Sequence, residues 1–496
     1  IILVNGVPGS AKTTTLVLRL VNKLCQSQIS YHIILFTKVS NVTEELVKRL
    51  SKYLPEIKIT YTQGSRVTAE YNGHSLEFSN YDAFVHSQLH FYQRENKYLE
   101  YETKSGEIQK KTLSEIGARF EFKKRIFNQL VNNKKIITFK LKNGNTINKI
   151  IADEVQDFSQ TVSIVFLSMV KNNNKISFEG YGDILQSIWY ALQKNKLTNK
   201  YNPYPINILK TIENIKLYPL SKCFRCPYYH CEFLKIINRE ANKTYIRKEI
   251  RSNFPEPKEQ EEKHKVMYFR HGAIGRNEDS EETAEIIFKI INTVMEYDKD
   301  ITFGDIVVIA PNINTNLVME KLNSILKENK YPVVFFKTKS GDNIETIDMN
   351  KLKEHKCSRC GKKFNKKSSK CKRCGELRKV NKITLISGHG FKGGERKCVI
   401  AFSLSELSIP KLNHPGTPNE LNDKSLIDVI GSRSQRYLFL GSNHSPSRYI
   451  TNHMDKLSDV LYLVHDFSNY LKMEATELLK KNKVQLSKKF EKLKEY

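Results

Sequence analysis

Short continuous apolar runs recur along the chain, each followed by a polar turn and then by apolar positions three and four residues apart. The first, Ile1 to Val4, breaks into Asn5 to Ala11 and resumes as the apolar helix face Leu16, Val17, Leu20 and Val21. The second, His32 to Phe36, ends in Thr37 to Asn41 and gives way to a helix pattern through Leu46, Val47 and Leu50. Lys149 to Ala152 and Ile176 to Phe178 repeat the apolar run. A helix pattern opening at Glu285 leads into another, Asp305 to Ala310. Unbroken apolar runs are what strands buried on both faces require, and their alternation with helices predicts parallel sheets covered by helices. The expected fold class is therefore α/β.

Changes of texture between these runs predict the domain plan. Residues 1–86 and 145–215 form a first α/β domain. Residues 87–144, which are polar, basic and aromatic with Tyr92, Tyr98, Tyr101, Phe120, Phe122 and Phe127, form an inserted subdomain with its own small core. Residues 216–345 and 383–450 form a second α/β domain, interrupted by a cysteine-bearing insertion at 346–382. Residues 451–496 read as a lysine-rich amphipathic helix with Leu461, Leu463, Phe467, Leu471, Leu478, Leu479 and Leu486 as apolar positions, able to dock on the body or on a partner.

Composition sharpens this picture in three ways. The chain of 496 residues carries 81 Lys+Arg against 53 Asp+Glu, a formal charge of +28. A polyanion partner is the functional explanation, because each neutralised phosphate releases counterions; a lysine- and asparagine-rich composition set by an AT-rich genome is the bland one. The nine cysteines, four of them in metal-ligand spacing, argue against a disulfide framework. No leader and no membrane-length apolar run is visible, so the expectation is a soluble intracellular protein of cytoplasm or nucleus, or a viral one. The start at Ile1, inside a strand, suggests a piece of a longer chain.

The candidate chemistry begins at Gly6-Val7-Pro8-Gly9-Ser10-Ala11-Lys12-Thr13-Thr14. Between a buried strand and a helix, such a loop is a P-loop. Its backbone N–H groups cradle a β-phosphate, Lys12 spans β and γ oxygens, and the Thr13 hydroxyl holds Mg2+. Ala11 stands where glycine is expected; its Cβ is harmless at negative φ and crowds the phosphate at positive φ. The strand at 149–152 ends in Asp153 and Glu154, placed for Mg2+ and for the attacking water. A later strand empties into Gly182 to Trp189, where Gln186 can sense a γ-phosphate and Trp189 can stack on a base.

In order, the loop at 6–13, Thr37 to Asn41, Asn80 to His86, Asp153-Glu154-Val155-Gln156-Asp157 and Gly182 to Trp189 resemble the successive motifs of UvrD/Rep-type superfamily 1 helicases. Leu220 to Pro227 is similar to that family's Leu-x-x-Asn-Tyr-Arg-Ser, Thr384 to Glu395 to its Thr-x-His-x-x-Lys-Gly-Leu-Glu, and Val429 to Arg436 to its Val-Ala-x-Thr-Arg-Ala. The resemblance implies two RecA-like motor domains sharing one ATP, which step along a strand as they close and open. It implies that Phe224 stacks on adenine, Arg225 meets the γ-phosphate, Gly393 and Glu395 lie at the nucleotide, and Arg433 is an arginine finger. It puts Thr37, Lys38, Phe84, His86, Trp189 and His389 on single-stranded nucleic acid. The departures are Ala11, Cys223 for asparagine and Ser432 for threonine, and the adenine-reading glutamine segment that lies upstream in many relatives is missing.

Cys357, Cys360, Cys371 and Cys374 form two CxxC knuckles, the spacing of a structural Zn2+ ribbon, within a run dense in lysine and arginine that suits phosphate contact. Cys223, Cys226, His230 and Cys231 form a second cluster, for which buried thiols are preferred to a second zinc. The function expected is an ATP- and Mg2+-dependent helicase or translocase on single-stranded or forked DNA, moving 3′ to 5′ and unwinding duplex. Replication or repair partners would be met through the tail. The rivals are a nucleic-acid-binding ATPase clamp or loading factor, and an RNA helicase.

Overall fold

The chain divides into two compact units, Ile1–Leu220 and Ser221–Tyr496. A computed structural model describes residues 1–37, 40–63, 66–103, 105–117, 119–158, 160–186, 215–239, 249–256, 265–271, 277–310, 316–336, 381–388, 391, 394–404, 426–442, 450, 453–457 and 459–464. Lys38, Trp189, His389, Gly393, the four ribbon cysteines and the tail beyond 464 lie outside them. The fold class is the expected one, α/β with a parallel sheet at the centre of each unit. No helix among the described residues is long and apolar enough to cross a membrane.

The first unit contains β1 (Ile2–Gly6), β2 (His32–Phe36), β3 (Lys58–Gln63), β4 (Arg66–Tyr71), β5 (His74–Ser79), β6 (Leu99–Glu102), β7 (Ile108–Lys111), β8 (Lys149–Ala152), β9 (Ser177–Gly182) and β10 (Lys216–Leu220). Its main sheet runs β10-β1-β9-β8-β2-β5-β4-β3, parallel as far as β5 and antiparallel through β4 and β3. Among the described residues β6 and β7 pair only with each other. Because β10 pairs with β1 from Ile2↔Lys216 to Gly6↔Leu220, residues 216–220 complete the first sheet instead of opening the second domain.

On one face, α1 (Lys12–Gln26) and α2 (Ser40–Tyr53) press Leu16, Val17, Leu20, Leu46 and Leu50 onto Val4, Ile33, Leu35 and Phe78. Each such side chain contributes about 1.5–3 kcal/mol when fully buried. The other helices among the described residues of the unit are α3 (Tyr81–Asn96), α4 (Leu113–Ile116), α5 (Phe120–Asn132) and α6 (Gln160–Asn172). Phe36 of β2 meets Phe84 of α3 at 5.0 Å and Phe166 of α6 at 5.1 Å between ring centroids, and Phe127 of α5 joins Phe84 at 5.9 Å. Of the aromatics expected to form a core in 87–144, Tyr101 and Phe127 are buried and Tyr92 and Phe122 half-buried, while Tyr98 and Phe120 are exposed, and Phe127 belongs to a core continuous with the sheet.

The second unit opens with the pair β11 (Lys222–Cys223) and β12 (Arg251–Ser252). Its sheet is built from β13 (Val266–Arg270), β14 (Ile306–Ala310), β15 (Val333–Phe335), β16 (Ile383–Ser387), β17 (Arg396–Ala401), β18 (Ser434–Ser442) and β19 (Leu461–Val464). The order is β15-β16-β14-β17-β18-β13-β19, and every pairing is parallel. α7 (Tyr228–Ile237) precedes the sheet in sequence; α8 (Asn277–Tyr297) and α9 (Leu317–Glu328) pack on it through Ile287, Ile291, Val318 and Leu322.

One tail assignment is corrected here. Leu461 and Leu463 lie in β19, paired with β13 from Val266↔Leu461 to Phe269↔Val464, and not on a helix. The run Val460 to Val464 is short and wholly apolar, so it fits a buried strand, and it supplies hydrogen bonds to what would otherwise be the open edge of β13.

Candidate functional site

At the carboxyl end of β1 the chain turns through Val7 to Ala11 before α1 begins at Lys12. Gly9 (φ +65°) and Ala11 (φ +61°) are both left-handed, so the alanine adopts the conformation that favours glycine. A non-glycine residue there costs about 1–2 kcal/mol. Glycine would lose about 0.4–1 kcal/mol of that gain to its freer unfolded state. Ala11→Gly is therefore expected to raise stability by about 0.5–1 kcal/mol, read as a higher urea midpoint; a lower midpoint would mean that the methyl group is held by packing.

Gly6 has a steric role. A Cβ there would lie 2.4 Å from Ser10 Oγ and 2.8 Å from Lys12 Cγ, so only glycine lets the lysine stem fold across the loop. The Lys12 ammonium donates to the carbonyls of Gly6 (3.1 Å) and Val7 (3.2 Å). Ser10 Oγ is buried with no hydrogen-bond partner among the described residues. No acid sits in the first turn of α1, and no side chain caps it. A helix N-terminus with open N–H groups, an orphaned hydroxyl and an ammonium resting on carbonyls is a set of donors suited to a phosphoryl group. Thr14 lies one position on, its Oγ1 accepting from Arg49 at 3.3 Å.

The sheet order puts β9 alone between β1 and β8, so the carboxyl ends of β1 and β8 flank it and converge on one crevice. Across that crevice Thr13 Oγ1 donates to Asp153 Oδ2 at 3.3 Å. Asp153 is 2% exposed. Burial, with the neighbouring Glu154 charge added, pushes its carboxyl up to about 7 against the pull of Lys12, the Glu154 N–H and Thr13. A buried carboxylate with so much affinity for a proton, facing a hydroxyl, fits a hard divalent cation that takes its remaining ligands from phosphate and water. Mg2+ would be held by Thr13 and Asp153.

Glu154 is itself left-handed (φ +53°) and starts a 3₁₀ turn, Val155–Asp157. Its carboxylate Oε2 accepts from Gln156 Nε2 at 2.6 Å, while Gln156 Oε1 accepts from the Asp183 N–H at 3.0 Å. Asp183 in turn accepts at Oδ1 from the Leu185 N–H (3.2 Å) and at its carbonyl from the Gln186 N–H (3.0 Å). Gln186 is buried on the short turn Ile184–Gln186. Gln156 received no role from the sequence, although it stands two residues beyond Glu154 in the acidic block.

In the second unit three further expected residues come together. Arg225 Nε pairs with Glu395 Oε2 at 2.5 Å, and Arg225 donates through an NH group to the Ser432 carbonyl at 3.3 Å. Arg433 follows, buried, with its carbonyl accepting from the Arg396 N–H. Phe224 is 52% exposed, as an aromatic meant for stacking must be, with Lys222 Nζ 5.8 Å from its ring centre. Cys223, Cys226 and Cys231 are buried beneath this turn. The Cys226 N–H donates to Cys223 Sγ, and the Cys226 thiol donates to the Ser432 carbonyl. Hydrogen bonds from its neighbours push the Cys223 thiol down and the other two up. Among the described residues no three His, Cys, Asp or Glu side chains are placed to hold a metal ion.

The strand-gripping residues fare differently. Phe84 is fully buried in the aromatic core and cannot face a nucleic acid, a correction that follows from its position on the inner face of α3. Thr37 is also buried, its hydroxyl 2.7 Å from that of Thr43. With Asn80, Tyr81, Lys124 and Arg125 it borders a cavity of about 540 Å³. His86 is half-buried on α3, its ring 4.6 Å from that of His90, and burial together with Lys123 lowers its pKa.

No family model and no curated protein matches this chain. Among solved structures it is similar to the C-terminal domain of a possible DNA helicase from Lactobacillus plantarum WCFS1, with 12% identity over 48% of this chain and 98% of that one and a TM-score of 0.26. It is also similar to a Saccharomyces cerevisiae Dbp5 variant bound to Nup159, a Gle1 variant, IP6 and ADP, with 10% identity over 97% and 90% of the two chains and a TM-score of 0.44. Likeness this distant says nothing of what the chain acts on.

Proposed function

We propose that this protein is a nucleic-acid-dependent ATPase of the helicase or translocase kind, with its hydrolytic centre on the first unit. The observation that carries the proposal is the convergence of Lys12, Thr13 and Asp153 at the carboxyl ends of β1 and β8, where a glycine-cradled ammonium and a buried carboxylate face the start of a helix. In this reading Lys12 leaves the Gly6 and Val7 carbonyls for β and γ oxygens of the triphosphate, and the N–H groups at the start of α1 hold the β-phosphate. Thr13 and Asp153 hold Mg2+, which supplies neutralisation of phosphate charge. Glu154 orients the attacking water and accepts its proton as the γ-phosphoryl group is transferred.

The formal charge of +28 supports a polyanionic track. Single-stranded DNA, 3′ to 5′ movement, duplex unwinding and the nucleotide roles of Phe224, Arg225, Gly393, Glu395 and Arg433 rest on the motif resemblance. So do the strand contacts of Lys38, Trp189 and His389. The Cys357, Cys360, Cys371 and Cys374 spacing supports a structural Zn2+.

Replacing Glu154 with Gln is expected to slow ATP hydrolysis by roughly 10²–10⁴-fold, with ATP affinity changed no more than a few-fold. Phosphate release and equilibrium nucleotide binding, each with single-stranded DNA and RNA, measure it. Turnover at the wild-type rate would remove Glu154 from the chemistry. Strand displacement alongside translocation separates a motor from an ATPase that only clamps.

A further inference from the structure

We infer that Gln156 is a positioning residue that holds the Glu154 carboxylate in register with the turn at Gly182 to Gln186, so that the state of that turn sets how well Glu154 handles the attacking water. The inference rests on the proposed hydrolytic role of Glu154 and adds a residue to that site.

Four observations converge on it. Gln156 is fully buried in the middle of the 3₁₀ turn Val155–Asp157 that follows the left-handed Glu154, so its backbone is set by the same turn that aims the carboxylate. Its two amide ends are chemically committed: a carboxylate oxygen demands the NH2 group and a backbone N–H demands the carbonyl oxygen, so the amide has one orientation. Gly182 admits it, since a Cβ there would lie 2.4 Å from Gln156 Oε1 and 2.7 Å from Val155 Cγ2. Asp183 then carries the link onward, accepting the Leu185 and Gln186 N–H groups. The chain of contacts thus runs from Glu154 to the turn that presents Gln186 without a break, and the bonds to it close both ends of one short side chain.

A bond of 2.6 Å from the amide to Glu154 Oε2 fixes which carboxylate oxygen is turned away from Gln156. A general base must be placed to well within an ångström, and misplacement by about 1 Å can cost about 100-fold in rate. A glutamine can meet that demand and also respond to movement of residues 182–186.

Two substitutions test this, alongside Glu154→Gln as the reference. Gln156→Leu keeps bulk and removes both bonds; kcat for ATP should fall roughly 10- to 100-fold, with KM changed less than about threefold. Gln156→Glu can still accept the Asp183 N–H but sets a second carboxylate against Glu154 in place of the donating amide, so kcat should fall by a similar factor with the same small change in KM. A residue that merely supports the fold would lower the yield of active protein without separating kcat from KM. If Glu154→Gln abolishes turnover while both Gln156 variants keep the wild-type kcat, the positioning role is overturned and the site reading survives. If Glu154→Gln is itself silent, the site reading fails first. Should Gln156→Leu not fold, the kcat and KM of Gln156→Glu decide alone.

Discussion

Lys12→Ala is expected to reduce nucleic-acid-stimulated ATP hydrolysis by roughly 10²–10³-fold and to leave a folded protein. The physical basis is the position of the ammonium. In the structure it rests on the Gly6 and Val7 carbonyls at 3.1 and 3.2 Å, neutral acceptors that a triphosphate outbids with full negative charge. No other cation stands in the loop at the carboxyl end of β1 to take its place, since its remaining groups are backbone, the Ser10 hydroxyl and the apolar side chains of Val7, Pro8 and Ala11. Part of the lysine is structural, because it is only 8% exposed and its stem fills the space beside Gly6. Lys12→Met is therefore the companion variant, keeping the stem while deleting the charge. Loss of turnover in both, with thermal stability near wild type in the methionine variant, isolates the charge. Turnover unchanged in both would end the P-loop assignment.

Stability should respond most to a different group. Glu179, in the middle of β9, is 2% exposed and receives Lys149 Nζ at 2.7 Å, Arg19 at 3.3 Å and the Tyr181 hydroxyl at 3.0 Å, with Lys23 at 3.9 Å. Burial by itself would raise its carboxyl, but Lys149 and Arg19 outweigh that and hold it down to about 2. Burial pulls Lys149 below its ordinary value at the same time, because one carboxylate is shared among three cations. The carboxylate is the better compensated ion, and its removal is the damaging change. Glu179→Gln leaves Lys149 buried beside Arg19 without a counter-charge and should cost about 3–5 kcal/mol at neutral pH. The contribution of Glu179 is fully present above the unfolded glutamate value of about 4.3 and is lost as pH falls through about 2. Urea midpoints of wild type and variant should therefore differ most above pH 5 and converge toward pH 2. A constant gap across that range would show that packing, not charge, is what the glutamate contributes.

The Glu179 prediction and the Gln156 link meet in β9, which carries Glu179 at its centre and the Gly182–Gln186 turn at its end. A destabilised β9 would disturb the link through Gln156 as well, so the Glu179 variant is expected to lose activity near its melting transition and not because it touches the nucleotide.

Where the sequence reads well, the determinants are local. The strand, the glycine turn and the lysine of residues 2–12 sit within a few residues of one another, and the acids after β8 occupy the strand end that any parallel sheet turns toward its ligand crevice. Phe84 as core is not legible in the sequence, because a motif gives order along the chain and not the face of a helix. On α3 that position turns inward to Phe36, Phe127 and Phe139. Leu461 and Leu463 are ambiguous in sequence because a five-residue apolar run suits a buried helix segment or a buried strand, and the open edge of β13 makes the choice. Gln156 was passed over because its meaning lies in a partner 27 residues away.

By itself, then, the chain's pattern of apolar runs and turn residues determined that this is an α/β protein with a glycine-bearing turn after its first strand and an acidic strand end, because strand burial and turn sterics act over a few residues. Only the tertiary structure decided that Ala11 is left-handed, that β10 completes the first sheet, that Asp153 is buried against Thr13 and that Glu179 is locked among cations. Those outcomes depend on which strands become neighbours, and burial and charge pairing between distant residues exist only once the sheet has assembled.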